Sequence, residues 1–94
     1  MKLTDKDTSG CYFVATFKTT FAKLVEKIGK PSYYDGDKSF YLWCVETKDG
    51  DVCCIYDWKE MFAPSKNMPY EWHIGAKSEE VGKKVVAELK AMGL

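Results

Sequence analysis

The fold of this chain is decided by the segment SFYLWCVETKDGDVCCIYDWK, residues 39–59 of 94. Apolar runs with the two-residue period of strands flank Asp49-Gly50, so successive side chains point to opposite faces of a sheet. Asp-Gly between two such runs favours a tight hairpin turn. We therefore predict strands over 39–47 and 51–59, joined by a turn at 48–50.

Outside this hairpin, the sequence predicts two more strands and two helices. Residues 11–17 and 70–76 have the β-branched and aromatic composition of strands. Helices are expected to begin after Thr19 or Thr20 and after Ser78, because a hydroxyl side chain at the N-cap accepts a backbone N–H. The core is expected to include the apolar faces of both helices: Phe21, Leu24, Val25, Ile28, Val81, Val85 and Leu89.

The resulting order is β-α-β-β-β-α, which predicts an α+β fold. We expect a single domain over 11–94, preceded by a flexible N-terminal lead over 1–10. Two amphipathic helices can cover one face of a four-stranded antiparallel sheet, and both are placed on the same face. Both sides of strand 39–47 are apolar. The uncovered side should therefore meet a ligand, the loop over 60–69 or a second subunit, and a homo-oligomer is expected.

Composition excludes several classes of function. The formal net charge is zero, which removes a bulk electrostatic case for nucleic acid or an anionic membrane. The chain has one histidine and no C-x-x-C pattern, so neither a metal site nor a cofactor is expected. The four cysteines are expected to be free thiols, because Cys53 and Cys54 point to opposite faces and the N-terminal residues are too polar for a signal peptide. With no apolar run of membrane length, the predicted location is cytoplasmic.

The candidate ligand-binding residues lie on the strands over 51–59 and 70–76. They are Tyr56, Asp57, Trp58, Lys59, Trp72 and His73. Aromatic walls with a few polar groups are typical of a pocket for a planar ligand, whose charged groups would meet Lys59. In a second interpretation, Asp57 and Lys59 form an edge ion pair of small energetic value and His73 has a structural role.

The α-β-β-β-α part of the order is similar to that of double-stranded-RNA-binding domains. Such domains open their last helix with Ser-Lys-Lys-x-Ala-Lys, whose lysines contact phosphates. This chain reads Ser78-Glu79-Glu80-Val81-Gly82-Lys83 at that place. Because the two glutamates would repel phosphate, double-stranded RNA is not expected as a partner.

Three short motifs resemble a family of small uncharacterised proteins of phages and large DNA viruses. They are Gly29-Lys30-Pro31 after the first helix, Ile55-Tyr56-Asp57-Trp58-Lys59, and Trp72-His73-Ile74-Gly75. The resemblance covers nearly the whole chain, with Ala76 as a departure where a second glycine is expected. It implies a viral protein that antagonises host defence.

Together these features predict a small non-enzymatic binding protein. With the viral resemblance, the expected role is sequestration of a nucleotide-like signalling ligand in the host cytosol. One alternative is a protein–protein interaction module that inhibits a host defence protein. Another is a small enzyme acting on a nucleotide, in which His73 works with Asp57 or a cysteine as an acid–base or nucleophilic pair.

Overall fold

The computed structural model describes residues 1–31, 40–58 and 63–94. Within these ranges the chain forms an α+β fold of five strands and two helices. The strands are β1 (Lys2–Leu3), β2 (Tyr12–Thr19), β3 (Leu42–Glu46), β4 (Val52–Tyr56) and β5 (Tyr70–Ala76). The helices are α1 (Phe21–Lys27) and α2 (Glu79–Ala91). Neither has the length and apolar character that a membrane crossing needs among the described residues.

The strands form one antiparallel sheet in the order β1-β3-β4-β5-β2. The prediction of four strands is wrong, because Lys2–Leu3 lies beside β3 as a fifth strand within the segment predicted to be a flexible lead. The Thr4 amide donates to the Cys44 carbonyl at 2.9 Å, and Glu46 forms ion pairs with Lys2 and Lys6 at 3.2 and 2.5 Å. A two-residue strand is too short to show a periodic pattern in sequence.

The predicted hairpin is confirmed, with β3 and β4 paired from Leu42↔Tyr56 to Glu46↔Val52. Gly50 has a φ of +87°, a conformation that costs a glycine little because it has no Cβ. The Gly50 amide donates to the Thr47 carbonyl at 2.9 Å and closes the turn. This turn sets the register that fixes which residues of β4 face each side of the sheet.

Both helices begin at the predicted cap residues. The Thr20 hydroxyl accepts from the Lys23 amide at 3.1 Å, and the Ser78 hydroxyl accepts from the Val81 amide at 3.2 Å. Each bond satisfies an N–H that has no partner within the helix. Glu79 and Glu80 occupy the first turn of α2, where the helix dipole favours negative charge.

The core lies between the two helices and one face of the sheet. Leu24 of α1 and Val85 and Leu89 of α2 are fully buried in the same cluster as the inward-facing side chains of the strands. Those inward side chains are Phe17, Trp43, Val45, Cys53, Ile55, Trp72, Ile74 and Ala76. Of the other predicted core residues, Phe21, Val25, Ile28 and Val81 are partly buried against this cluster.

Two buried indoles connect the core to the ends of α1. The Trp72 indole N–H donates to the carbonyl of Thr19, just before the helix, and the Trp43 indole N–H donates to Gly29, just after it. The donor–acceptor distances are 2.9 and 2.7 Å, and the two rings meet edge to face at 5.3 Å. Each indole therefore has a partner for its polar atom while its ring fills the core.

The side of the sheet that faces away from the helices is here called the outer face. Its members include Phe13 of β2, Cys44 of β3, Cys54 and Tyr56 of β4, and His73 and Gly75 of β5. The register places Cys44 opposite Cys54, Cys54 opposite Gly75 and Tyr56 opposite His73. Cys53 is buried in the core, which confirms that the adjacent cysteines point to opposite faces.

Candidate functional site

Three of the six residues predicted to bind a ligand come together on the outer face. Tyr56, Trp58 and His73, joined by Phe13, line a cavity of about 340 Å³. This volume is at the lower end of the range that small-molecule sites occupy, about 300–1,000 Å³. All four lining side chains are aromatic rings. We call this group the aromatic pocket.

The rings of the aromatic pocket present flat faces and edges to a common space. The Trp58 and His73 planes are close to parallel, at 21° with a centroid separation of 6.4 Å. Tyr56 stands edge-on to both, with centroids 5.6 Å from His73 and 6.1 Å from Trp58. Phe13 is 4.6 Å from His73 on the other side. A planar ligand can stack on one of the parallel faces while other rings contact its edge.

Backbone pairing holds the aromatic pocket in place. Tyr56 and His73 are Cα partners in the β4–β5 ladder, so their side chains emerge next to each other. The amide of Trp58 donates to the Tyr70 hydroxyl at 3.3 Å, which ties the end of β4 to β5. A Cβ built at Gly75 would lie 3.4 Å from a ring carbon of Tyr56. Glycine at this position therefore leaves room for the tyrosine ring.

Exposure distinguishes the four residues. Phe13 is 53% exposed and Trp58 is 37% exposed, whereas Tyr56 and His73 are half-buried. Burial raises the pKa of Tyr56 above its ordinary value, and the nearby Cys54 and Cys11 act in the same direction. The Tyr56 hydroxyl is therefore protonated at neutral pH and can donate a hydrogen bond.

Asp57 lies on the opposite side of the sheet from the aromatic pocket. Its carboxylate is fully buried and accepts from the Phe40 amide at 2.9 Å and from the Tyr41 amide at 2.7 Å. These contacts fix the chain where it enters β3. Because the buried carboxylate is satisfied by these backbone donors, it stabilises the fold at this point and does not face the pocket.

Trp72 also differs from the expected arrangement. Trp72 is fully buried in the core and contacts Trp43 and Tyr70, so it does not share a face with its neighbour His73. Lys59 lies outside the described residues. Its predicted contact with a charged ligand therefore stays a prediction.

Sequence reasoning missed Phe13 because it treated strand 11–17 only as part of the sheet. Phe13 pairs with Gly75, and the register shifts between Phe13 and Ala15. A shift of this kind changes which side chains face each side of a strand. No pattern in the sequence marks that irregularity.

A larger cleft, of about 510 Å³, lies at the β1 edge of the sheet. Its lining includes Lys2, Lys6, Lys30 and Glu46. Two of these lysines already form ion pairs with Glu46, and the hydrogen bond from Lys6 lowers the pKa of that carboxylate. Asp5 also lines the cleft, so two carboxylates offset two of the three lysine charges, and the single remaining positive charge favours an anionic ligand only weakly.

Comparisons of the chain with protein-family models, with curated proteins and with solved structures give no match. We therefore interpret the aromatic pocket from its own geometry.

Proposed function

We propose that this protein is a non-enzymatic binding protein whose aromatic pocket holds a planar heteroaromatic ligand such as a nucleobase. The observation that carries the proposal is the convergence of Phe13, Tyr56, Trp58 and His73 around one open cavity. An exposed tryptophan beside a cavity leaves apolar area in water that a flat ligand would cover.

The chemistry of the pocket favours stacking over ion pairing. All four lining residues are aromatic, and stacking of a base on an aromatic side chain contributes about 1–3 kcal/mol. The Tyr56 hydroxyl and the His73 ring nitrogens add hydrogen-bonding groups that can read the edge of a base. Recognition of a phosphate would depend on Lys59, as predicted from the sequence.

Three of the four thiols argue against the enzyme alternative. Burial raises the pKa of Cys54 to about 12 and also raises that of Cys11, so at neutral pH both are protonated and neither supplies the thiolate that a catalytic nucleophile needs. Burial raises the pKa of Cys53 as well, and this thiol faces the core. Asp57, one predicted partner of His73, is on the far side of the sheet and bound to backbone amides.

The resemblance to viral proteins supplies the biological setting of the proposal. In that setting the ligand would be a nucleotide-like host signal that the protein sequesters without altering it. Such a role requires affinity and no turnover, which fits a pocket made of aromatic rings.

A protein–protein interaction module is the second candidate. Tyr12 and Phe13 are each more than half exposed on β2, the terminal strand of the sheet. Exposed aromatic side chains are enriched at the centres of protein interfaces. A second copy of the chain or a host protein could bury them, and the predicted homo-oligomer belongs to this candidate.

A calorimetric titration with a panel of linear and cyclic purine and pyrimidine nucleotides tests the proposal. Trp58→Ala should weaken binding by about 1–3 kcal/mol, because it removes a stacking face. Tyr12→Ala is the matched control, since Tyr12 is similarly exposed and close in sequence to Phe13 but does not line the cavity. The control should bind like the parent.

Recovery of the ligand separates the alternatives. A binding protein returns the nucleotide chemically unchanged after heat denaturation, whereas an enzyme returns product. Failure of the whole panel to bind, together with a dimer in light scattering that Phe13→Ala dissociates, would favour the interaction module instead.

A further inference from the structure

The outer face contains a pair of directly opposed thiols. Cys44 of β3 and Cys54 of β4 are Cα partners, and both side chains are half-buried on the outer face. A small reagent can therefore reach them. Neither thiol lines the aromatic pocket, so this pair can be considered independently of the proposed binding function.

The backbone pattern shows that the two cysteines form a non-hydrogen-bonded pair. The carbonyl of Cys44 accepts at 2.9 Å from the amide of Thr4, which follows β1 on the other side of β3 from β4. This carbonyl therefore points away from β4. At the hairpin end, the Thr47 amide donates to Asp51 at 2.8 Å, and hydrogen-bonded and non-hydrogen-bonded pairs alternate from there. Thr47–Asp51 is a hydrogen-bonded pair, so the next pair, Glu46–Val52, is not. Val45–Cys53 is hydrogen-bonded again, and Cys44–Cys54 is therefore a non-hydrogen-bonded pair.

This class of pair has the Cα spacing that a disulfide needs. Opposed residues in non-hydrogen-bonded pairs lie about 4.5 Å apart at Cα. Disulfides span Cα distances of about 4.4–6.8 Å. A bond between the two sulfur atoms would therefore need little backbone movement.

A third thiol lies beside this pair but is placed differently. Cys11 precedes β2, which is separated from β4 by β5. Two strand spacings amount to about 9–10 Å, which exceeds the span of a disulfide. Cys11 therefore cannot form a bridge to Cys54 in the folded sheet.

We propose that Cys44 and Cys54 form a redox-active dithiol site that reacts with low-molecular-weight disulfides. One thiolate of the pair attacks a sulfur atom of the small disulfide, forming a mixed disulfide and releasing one small thiol. The second thiolate attacks the protein sulfur of that mixed disulfide, forming the Cys44–Cys54 bond and releasing the other small thiol. The protein loses two electrons and two protons, and the two small thiols carry both.

The test is incubation of the native protein with oxidised glutathione at mildly alkaline pH, followed by alkylation of the remaining thiols and peptide mapping without reduction. The expected product has lost two hydrogen atoms, has two alkylated cysteines, and contains one bridge between the peptides of Cys44 and Cys54. Reduction with dithiothreitol should restore four alkylated cysteines.

Two serine variants make the test specific. Cys11→Ser should form the same bridge, because Cys11 is not a member of the pair. Cys54→Ser should stop at a stable mixed disulfide with glutathione on Cys44, because the second attack has no nucleophile.

Three outcomes would overturn the proposal. They are a bridge that includes Cys11, a stable glutathione adduct on Cys44 or Cys54 in the parent protein, and reaction only after denaturation. The parent protein alone decides all three, so the result does not depend on the folding of a variant.

Discussion

Substitution of Asp57 tests whether this residue stabilises the fold, as the structure indicates, or binds a ligand. Its carboxylate Oδ1 accepts from the amides of Phe40 and Tyr41, at 2.9 and 2.7 Å, and Oδ2 also accepts from Phe40 at 2.9 Å. Hydrogen bonds to a charged group contribute about 1.5–3 kcal/mol each. Asp57→Ala deprives two backbone donors of this acceptor, so the free energy of unfolding should fall by roughly 3–5 kcal/mol.

The more conservative substitution Asp57→Asn should lower the free energy of unfolding by less. Asp57→Asn keeps one oxygen at the site of Oδ1 but turns an NH₂ group toward the Phe40 amide where Oδ2 was. The expected loss is about 1–2 kcal/mol, since one neutral acceptor replaces the charge-assisted pair. Urea titration measures both variants. Asp51→Asn is the matched control, because Asp51 also carries a carboxylate next to β4 and its ion pair with Lys84, at 3.4 Å, is partly exposed.

The same variants separate stability from binding. Because Asp57 lies on the helix side of the sheet, the folded fraction of Asp57→Asn should bind any ligand of the aromatic pocket with the parent affinity. Unchanged stability combined with weakened binding would refute this reasoning and would return Asp57 to the ligand site predicted from the sequence.

Three further predictions concern packing, ionisation and thiol reactivity. Gly82→Ala should lower the free energy of unfolding, measured by urea titration, by about 1–2 kcal/mol, although alanine has the better helix propensity. The reason is that the new Cβ would lie 2.5 Å from Cγ2 of Val14. Adding Val14→Ala to this variant should restore the stability. The stability difference between the parent and Glu46→Gln should be present at neutral pH, because the bond from Lys6, helped by Lys2, lowers the pKa of Glu46. It should shrink as the pH falls below the ordinary value of 4.5 and vanish below the lowered pKa of the folded protein; a constant difference would contradict this. Alkylation of native Cys54 by iodoacetamide should accelerate about tenfold per pH unit from pH 7 to 9, because burial raises its pKa to about 12, and a plateau in that range would count against the assigned environment.

The sequence predicted the elements whose signals are local. The hairpin turn at Asp49-Gly50 and the N-caps Thr20 and Ser78 depend on neighbouring residues, and all three are confirmed. Strand β5 was predicted with its observed bounds, Tyr70–Ala76. In contrast, β1 has two residues and is defined by its partner β3, so no local pattern could indicate it.

The candidate site was predicted in part for a similar reason. Tyr56, Trp58 and His73 were predicted to share a site and line one cavity, whereas Asp57, grouped with them, lies on the other face, as two-residue alternation along the strand requires. The same alternation separates Trp72 from His73, and grouping them in one site overlooked it. Phe13 joins the pocket through pairing with a distant strand and a register shift in β2, and both features exist only in the folded chain.

The central claim is that the aromatic pocket binds a flat heteroaromatic ligand by stacking. The most direct test follows the aromatic ¹H–¹³C signals of the protein during titration with adenosine monophosphate and with cyclic adenosine monophosphate. Trp43 and Trp72 are fully buried in the core and serve as internal references. We predict saturable shifts at Phe13, Tyr56, Trp58 and His73, with little change at the two reference indoles. Absence of shifts at those four rings up to millimolar nucleotide, or shifts confined to the β1 edge, would contradict the account.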